Sequence, residues 1–508
     1  MIDPGLAIVL CLGVPLLGFA AIWLLGATPN LREAATLVTA STLLLLVLTI
    51  FLAVGNGETP GFILLTVIDG LTIEFRVEPL GALFALIASG LWIVNSLYSI
   101  GYMRGNNEPH QTRFYMSFAI AIASAMGVAF AANLFTLFIF YEVLTLSTFP
   151  LVTHKGNDAA RRGGRIYLGI LMGTSIGLLL PAIAWVYALT GDVTFREGGI
   201  LAAKIEEVGP LLPVLLGLFA FGIGKAALMP IHPWLPNAMV APTPVSAFLH
   251  AVAVVKAGVF SILKVVIYIF GIDLVATTGA STPFIWLAAI SILLSSMIAM
   301  NKDNLKARLA YSTVSQLSYV TLGAMLATQM AVMGGALQIA MHALGKMTLF
   351  MCAGAIYTAT HKTLISEMRG LGRTMPITFG LFFLGAMSII GLPPLGGSWP
   401  KFFLMVGAVD AGQLAIIFVL MVSSVFNVLY LLSIPVQAFY MADEKLPETD
   451  LSAHRVAGGN GAAIAWSRMK EAPLLCLVPP ALTAFGALLL FFFGSGLYSY
   501  LLPIIGSP

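Results

Sequence analysis

The sequence predicts an all-α, polytopic membrane protein of about fourteen transmembrane helices, and three observations carry that prediction. Of its 508 residues, 59% are hydrophobic and only 9% charged, with a mean hydropathy of +0.98; soluble domains carry about 25% charged residues. Apolar runs of spanning length, about 20 residues each, recur near 5–25, 31–54, 80–100, 114–131, 133–153, 166–190, 211–229, 244–270, 283–300, 305–328, 331–359, 376–392 (continuing past a break to 411), 413–440 and 472–498. The third observation is the sorting of basic residues between these runs.

With the connections numbered from the first, the odd ones hold seventeen Lys and Arg and the even ones hold three, Arg76, Arg196 and Lys204. Basic residues collect on the cytoplasmic side, so the odd connections are expected there and both termini outside. One helix more or fewer would scramble the separation. The opening MIDPGLAIVLCLG has no basic region before its apolar run and reads as a first spanning helix, not a cleaved signal. Connections 55–79 and 191–210 are the longest outer ones, the second read as a short amphipathic surface segment. DEKLPETDLSAHRVAGGNGAAIAWSRMKEAP is the longest inner one, read as a partly ordered loop. Net charge +3 gives no reason to expect nucleic-acid binding, and Cys11, Cys352 and Cys476 lie in apolar segments as small hydrophobes. No CxxC or His-rich spacing predicts a metal or iron–sulfur site. No nucleotide, haem or flavin signature predicts a cofactor or redox chemistry in this chain.

The stretch FGIGKAALMPIHPWLPNAMVAPTPVSAFLHAVAVVKAG, 221–258, reads as two helices joined through a break, with Lys225 in the first helix and Lys256 in the second. Pro230, Pro233, Pro236, Pro242 and Pro244 interrupt the helical ladder between them. Such breaks survive at membrane depth only where protein or a water-filled cavity covers the freed backbone. Two lysines flanking one point to an ion path; the alternative is a tight loop with snorkelling lysines. Lys264, Lys346 and Lys401 also fall within or at the edge of spans, and Glu142 is the acid nearest the middle of one. Each such charge costs about 2.5–3.5 kcal/mol at a helix centre. A transport role, or a buried pair that only fastens helices, would account for Glu142. His342 and Lys346 are four apart and share a helix face, and histidine titrates near neutrality, as a proton relay requires. His250 precedes Lys256 by six residues and does not share its face; it is a possible further relay. Lys264, nearer a helix end, is expected to snorkel.

A second break, MSIIGLPPLGGSWPKFFLMVG, places Pro393, Pro394, Gly396, Gly397 and Pro400 before Lys401. A cation there is expected at the positive end of the new half-helix's dipole, a setting that suits a lysine giving up its proton. Helices four to eight hold Glu142, Lys225 and Lys256; helices nine to thirteen hold His342, Lys346 and Lys401. Consecutive units of five helices, an odd number, sit inverted, and paired interrupted segments mark inverted-repeat transporters. The expected division is 1–113, an N-terminal three-helix segment; 114–270 and 283–440, the two ion-translocating repeats; and 441–508, a cytoplasmic loop with the last helix.

The stretches VEPLGALFALIASGLWIVNSLYSIGYM (77–103), FYEVLTLSTFPLV (140–152), PIHPWLPNAMVAPTPVSAFLHAVAVVKAGVF (230–260), NLKARLAYSTVSQLSYV (304–320), MHALGKMTLF (341–350) and GLPPLGGSWPKFFL (391–404) resemble one family, in that family's order. It comprises the antiporter-like subunits of respiratory complex I, membrane-bound hydrogenases and Mrp-type multisubunit cation/proton antiporters. The resemblance runs from about 77 to 440 and implies a fourteen-helix core. It places the family's fifth-helix glutamate on Glu142, its seventh- and eighth-helix lysines on Lys225 and Lys256, its central pair on His342 and Lys346, and the basic residue after the twelfth-helix break on Lys401. Lysine at 401 and an end soon after the fourteenth helix resemble the Mrp D subunit, while SAFLHAVAVVKAG around His250 looks more like the Mrp A or distal complex I pattern. By resemblance, Glu142 and Lys225 form a buried pair, and protons pass along Lys225, Lys256, His342/Lys346 and Lys401 through water chains. The implied setting is the plasma membrane of a bacterial or archaeal cell, with other membrane subunits, protons and Na⁺ or K⁺ as partners. A proton-pumping subunit of a complex I or hydrogenase type is the alternative. A stand-alone solute transporter would want an aromatic- or polar-lined pocket, and a structural scaffold would not carry so many intramembrane charges.

Overall fold

In a computed structural model, which describes residues 3–441 and 469–506, each apolar run holds a helix. They are α1 (Pro4–Leu24), α2 (Pro29–Gly55), α3 (Pro79–Gly105), α4 (Gln111–Phe130), α5 (Leu134–Val152), α6 (Asp158–Thr190), α7 (Leu212–Gly222), α8 (Thr243–Phe270), α9 (Thr282–Met300), α10 (Leu305–Leu326), α11 (Gln329–Thr360), α12 (Pro376–Ile390) with α13 (Ser398–Asp410), α14 (Leu414–Tyr440) and α15 (Leu474–Phe492). Among the described residues, eleven helices are long and apolar enough to cross a membrane. The others depart for local reasons: α7, α12 and α13 are cut short by breaks, and α10 carries a buried polar run, Ser312, Thr313, Ser315, Gln316 and Ser318. The protein is an all-α polytopic membrane protein, with one exception. The long inner connection read as a partly ordered loop lies almost wholly outside the described residues.

That exception lies in the second connection, where β1 (Gly61–Ile68) and β2 (Leu71–Arg76) pair antiparallel, Gly61 opposite Arg76 and Ile68 opposite Leu71. Asp69 and Gly70 make the turn, Gly70 at φ +76°, the residue pair that two-residue hairpins favour. The all-helical reading did not anticipate this hairpin.

Helix α8 occupies the centre. Every residue from 243 to 270 is buried, walled by α3, α4, α5, α10 and α11. It is broken near its first third: Val252, at φ −126° and ψ −54°, separates Thr243–Ala251 from the stretch that starts at Val254. The other two breaks fall in equivalent places, in the fourth helix of α4–α8 and in the fourth span of α9–α14. Both rest on glycine. A Cβ at Gly258 would lie 2.3 Å from the Ala226 nitrogen and 2.4 Å from the Lys225 carbonyl carbon; one at Gly397 would lie 1.8 Å from the Ser388 carbonyl oxygen. Each break is thus packed backbone against backbone.

Candidate functional site

Lys225 is not in a helix. Helix α7 stops at Gly222, and Lys225 sits in the 3₁₀ turn Gly224–Ala226 that follows. Its ammonium, wholly buried, donates to the Tyr141 carbonyl at 2.7 Å and to Thr145 Oγ1 at 2.6 Å, and lies 3.1 Å from the centre of the Tyr141 ring. Its backbone N–H donates to the Tyr141 hydroxyl at 3.0 Å. The turn is therefore stitched to α5 by four contacts with two residues one helical turn apart.

Glu142, next along α5, is about 100° around that helix from Tyr141. Its two carboxylate oxygens are buried and accept no hydrogen bond from the described residues. Among the ion pairs of the described residues there is none between Glu142 and Lys225. The direct pair expected from the sequence is open here, because the ammonium is held on the 141/145 stripe.

Lys256 and His342 meet. The Lys256 Nζ lies 2.9 Å from His342 Nδ1, joining the second part of α8 to the middle of α11. One turn along α11, Lys346 donates to Ser312 Oγ of α10 at 2.7 Å. The Tyr430 hydroxyl of α14 donates to Asn427 Oδ1 and lies at hydrogen-bond distance, 2.9 Å, from the same Ser312 Oγ. Gln338 Nε2 donates to Gln316 Oε1 at 2.8 Å between α11 and α10. Lys401, at the start of α13, reaches back to the Ile390 carbonyl at 2.5 Å and to Ser424 Oγ at 3.1 Å, with its Nζ 5.4 Å from the Tyr319 ring centre. This corrects the dipole expectation: the ammonium turns to the last carbonyl of α12, the negative end of that helix, and not to the N-terminus of its own.

His250, in the last turn of the first part of α8, is buried, and neither ring nitrogen has a hydrogen-bond partner among the described residues. Its ring lies 6.0 Å from that of Trp234, whose Nε1 donates to the Gly224 carbonyl at 3.0 Å. Trp234 thus stands between His250 and the Lys225 turn. Lys264 does not snorkel. It is buried, donates to the Ala131 carbonyl at 2.6 Å and pairs with Glu78 Oε1 at 3.0 Å, so its ammonium is held by protein groups.

Two things emerge. The residues of the two five-helix units touch at Lys256–His342, and Lys225, Lys346 and Lys401 are each held by neutral groups that the sequence reading passed over: Tyr141 and Thr145, Ser312 with Tyr430 and Asn427, and Ser424. The one available signal was the cluster of Ser, Thr and Gln in α10. Chemically, the arrangement is a file of amines, an imidazole, hydroxyls and an unpaired carboxyl inside an apolar bundle, which are groups able to pass a proton from one to the next.

The family described as NADH:quinone oxidoreductase/Mrp antiporter, TM, matches residues 131–427. NADH-quinone oxidoreductase subunit N of Desulforudis audaxviator is 28% identical over 442 residues, 85% of each chain. The chloroplastic NAD(P)H-quinone oxidoreductase subunit 5 of Adiantum capillus-veneris is 32% identical over 345 residues, 65% of this chain but 46% of that one, so the chain spans under half the length of that relative. Among solved structures, a chain of the Mrp complex from Dietzia sp. superposes with a TM-score of 0.84 over 99% of this chain and 97% of that one at 22% identity, a likeness of fold.

Proposed function

Because the chain belongs to the family of NADH:quinone oxidoreductase and Mrp antiporter membrane subunits, we propose that it is the proton-translocating membrane subunit of a multisubunit Na⁺ or K⁺/proton antiporter, of the D type. Protons move along Lys225, Lys256, His342, Lys346 and Lys401, with His250 as a side relay. Glu142 is the carboxylate with which Lys225 pairs in one state and from which it is released in another. The observation that carries this reading is the 2.9 Å contact of Lys256 with His342, which joins the buried groups of one five-helix unit to those of the other. Lys401, where one complex I member would be expected to carry a glutamate, argues against that subtype and supports the D type. In this reading 114–270 and 283–440 are the two translocating units, the odd-numbered connections face the cytoplasm, and partner subunits complete the ion path. A proton-pumping subunit of a quinone-reducing complex is the second reading, favoured by the match to subunit N along 85% of both chains.

The test is transport in vesicles containing the assembled complex, read by quenching of a pH-sensitive dye after addition of NaCl, KCl or choline chloride. Glu142→Gln and Lys225→Ala should abolish cation-driven proton movement at normal protein level, whereas Asp158→Asn on the exposed start of α6 should not. Retained transport in both pair variants refutes the role given to the pair. Identification of the proteins that copurify separates the two complexes: small antiporter subunits or quinone-reducing ones.

A further inference from the structure

Four connections that the basic-residue pattern assigns to one face meet over a cavity of about 750 Å³, within the range of about 300–1,000 Å³ typical of small-ligand sites. Three of them bring cations to its wall: Lys155 and Arg162 from the connection after α5 and the start of α6, Lys306 in the first turn of α10, and Lys362 after α11. Lys155 and Arg162 are exposed; Lys306 is half-buried and anchored, its Nζ donating to the Ala241 carbonyl at 2.6 Å. The starts of two helices, Thr243 of α8 and Leu305 of α10, also line the wall, and each contributes the positive end of its dipole. Tyr102 and Tyr357 supply aromatic surface, with Lys155 Nζ 6.0 Å from the Tyr357 ring centre.

No Asp or Glu of the described residues lines this cavity. The nearby carboxylates are engaged or set back. Asp303 accepts from Ser366 N and Oγ at 3.0 and 2.7 Å, Asp158 faces Arg161 at 4.0 Å, and Glu108 acts on Lys306 from outside the lining. Four cations and two helix N-termini therefore converge from five elements of structure, with no carboxylate of the described residues in the lining between them. Their mutual repulsion favours a multiply charged anion. A guanidinium fork, mobile ammonium groups and helix starts are the donor set that suits phosphate.

We propose that this cavity binds a phosphate-bearing anion, supplied either by the headgroup of an anionic lipid or as a free phosphate compound. The inference stands independently of the transport reading.

The test is ligand-dependent thermal stabilisation of the purified full-length chain. The probes are inorganic phosphate, short-chain phosphatidylglycerol and short-chain phosphatidylcholine. Saturable stabilisation is expected from phosphate, phosphatidylglycerol or both, and not from phosphatidylcholine. Stabilisation by phosphatidylglycerol alone assigns the site to a lipid headgroup; stabilisation by phosphate that competes with phosphatidylglycerol assigns it to free phosphate. The half-saturating concentration should rise at least about tenfold, the loss of one charge-assisted hydrogen bond, in the double variant Arg162→Gln/Lys362→Gln. The same rise is expected in Ala159→Glu, which puts a carboxylate on the exposed wall. Arg165→Gln, outside the lining, should leave it unchanged. Ala159 and Arg162 are exposed, so each altered chain should melt as the wild type does without a probe, and either alone decides. No stabilisation by either anion, equal responses in the altered chains, or equal stabilisation by phosphatidylcholine overturns the proposal.

Discussion

Thr145 is the sharpest handle on how Lys225 is held. Its Oγ1 accepts from the buried ammonium at 2.6 Å, while the alternative partner, Glu142, accepts nothing from the described residues. Thr145→Val keeps the shape and removes the acceptor. A hydrogen bond to a charged group is worth about 1.5–3 kcal/mol, or about 10- to 150-fold in the balance between the two positions of the ammonium, at about 1.4 kcal/mol per decade. The variant should drive Lys225 off the 141/145 stripe and toward Glu142. If release from Glu142 is a step of the cycle, proton movement slows by about tenfold or more. Thr145→Ser, which keeps the hydroxyl, should restore most of the rate. The assay is dye quenching in vesicles at matched protein level, with Thr148→Val as the control, since Thr148, on the same helix as Thr145, bonds Tyr167 of α6 at 2.6 Å. Wild-type rates in Thr145→Val, or equal loss in the serine variant, would refute the two-position account.

The other expectations follow from single contacts. Lys401→Arg keeps a charge that cannot be shed in the working pH range; the complex should assemble and transport poorly, and wild-type rates across pH 7 to 9 would show that deprotonation of Lys401 is no part of the cycle. Gly258→Val forces side-chain atoms into the Lys225 turn, 2.3 Å from the Ala226 nitrogen. It should cost about 1–3 kcal/mol, read as a lowered melting temperature together with lost transport, and an unchanged melting curve would sink the packing argument. His154 lies outside the spans in the connection after α5, where burial and then the neighbouring Arg113 guanidinium hold its pKa down to about 4 from 6.5. The unfolded chain takes up that proton first, so stability should fall as pH drops from 6.5 towards 4 and gain no further slope from this group below it; His154→Gln should flatten that part of a melting-temperature profile, and an unflattened profile counts against the assignment. Cysteines placed singly at the exposed positions Arg161 and Glu197 of a cysteine-free chain should label from opposite sides of the membrane; labelling from the same side contradicts the topology. Gly156 and Gly199 in the same connections are unsuitable, at φ +66° and +84°.

How far the sequence could be read depended on whether a feature is local. Helix positions follow from runs of apolar side chains, and both breaks follow from proline spacing, so these were legible. Which residues stay helical beside a break was not: Gly222 and Gly224 end α7 early, and Lys225 leaves the helix because Gly258 lets the turn press against α8. The fate of Lys264 depended on enclosure of α8 by five other helices and on Glu78 from another part of the chain. Hydroxyl partners were hidden for a different reason. Most Ser and Thr here bond their own helix four residues back, as Thr313 and Ser318 do, so residue type does not tell which reach across, as Ser312 does. In the hairpin, Asp69-Gly70 between β-branched runs was a readable turn signal, overshadowed by the hydropathy of its surroundings.

The enclosure of α8 also bears on how the protein is made. Its walls come from both sides in chain order: α3, α4 and α5 precede it, while α10 and α11 follow. During synthesis α8 therefore enters the membrane before half of its surroundings exist. Lys256 meets its imidazole partner only after α11 has arrived, and until then it bears the cost of about 2.5–3.5 kcal/mol that a charged side chain pays in hydrocarbon. Lys264 differs: Glu78 and the Ala131 carbonyl are already in place when it emerges. The two lysines of one helix thus acquire their partners at different times, and a nascent chain halted before α10 would hold Lys264 settled and Lys256 exposed.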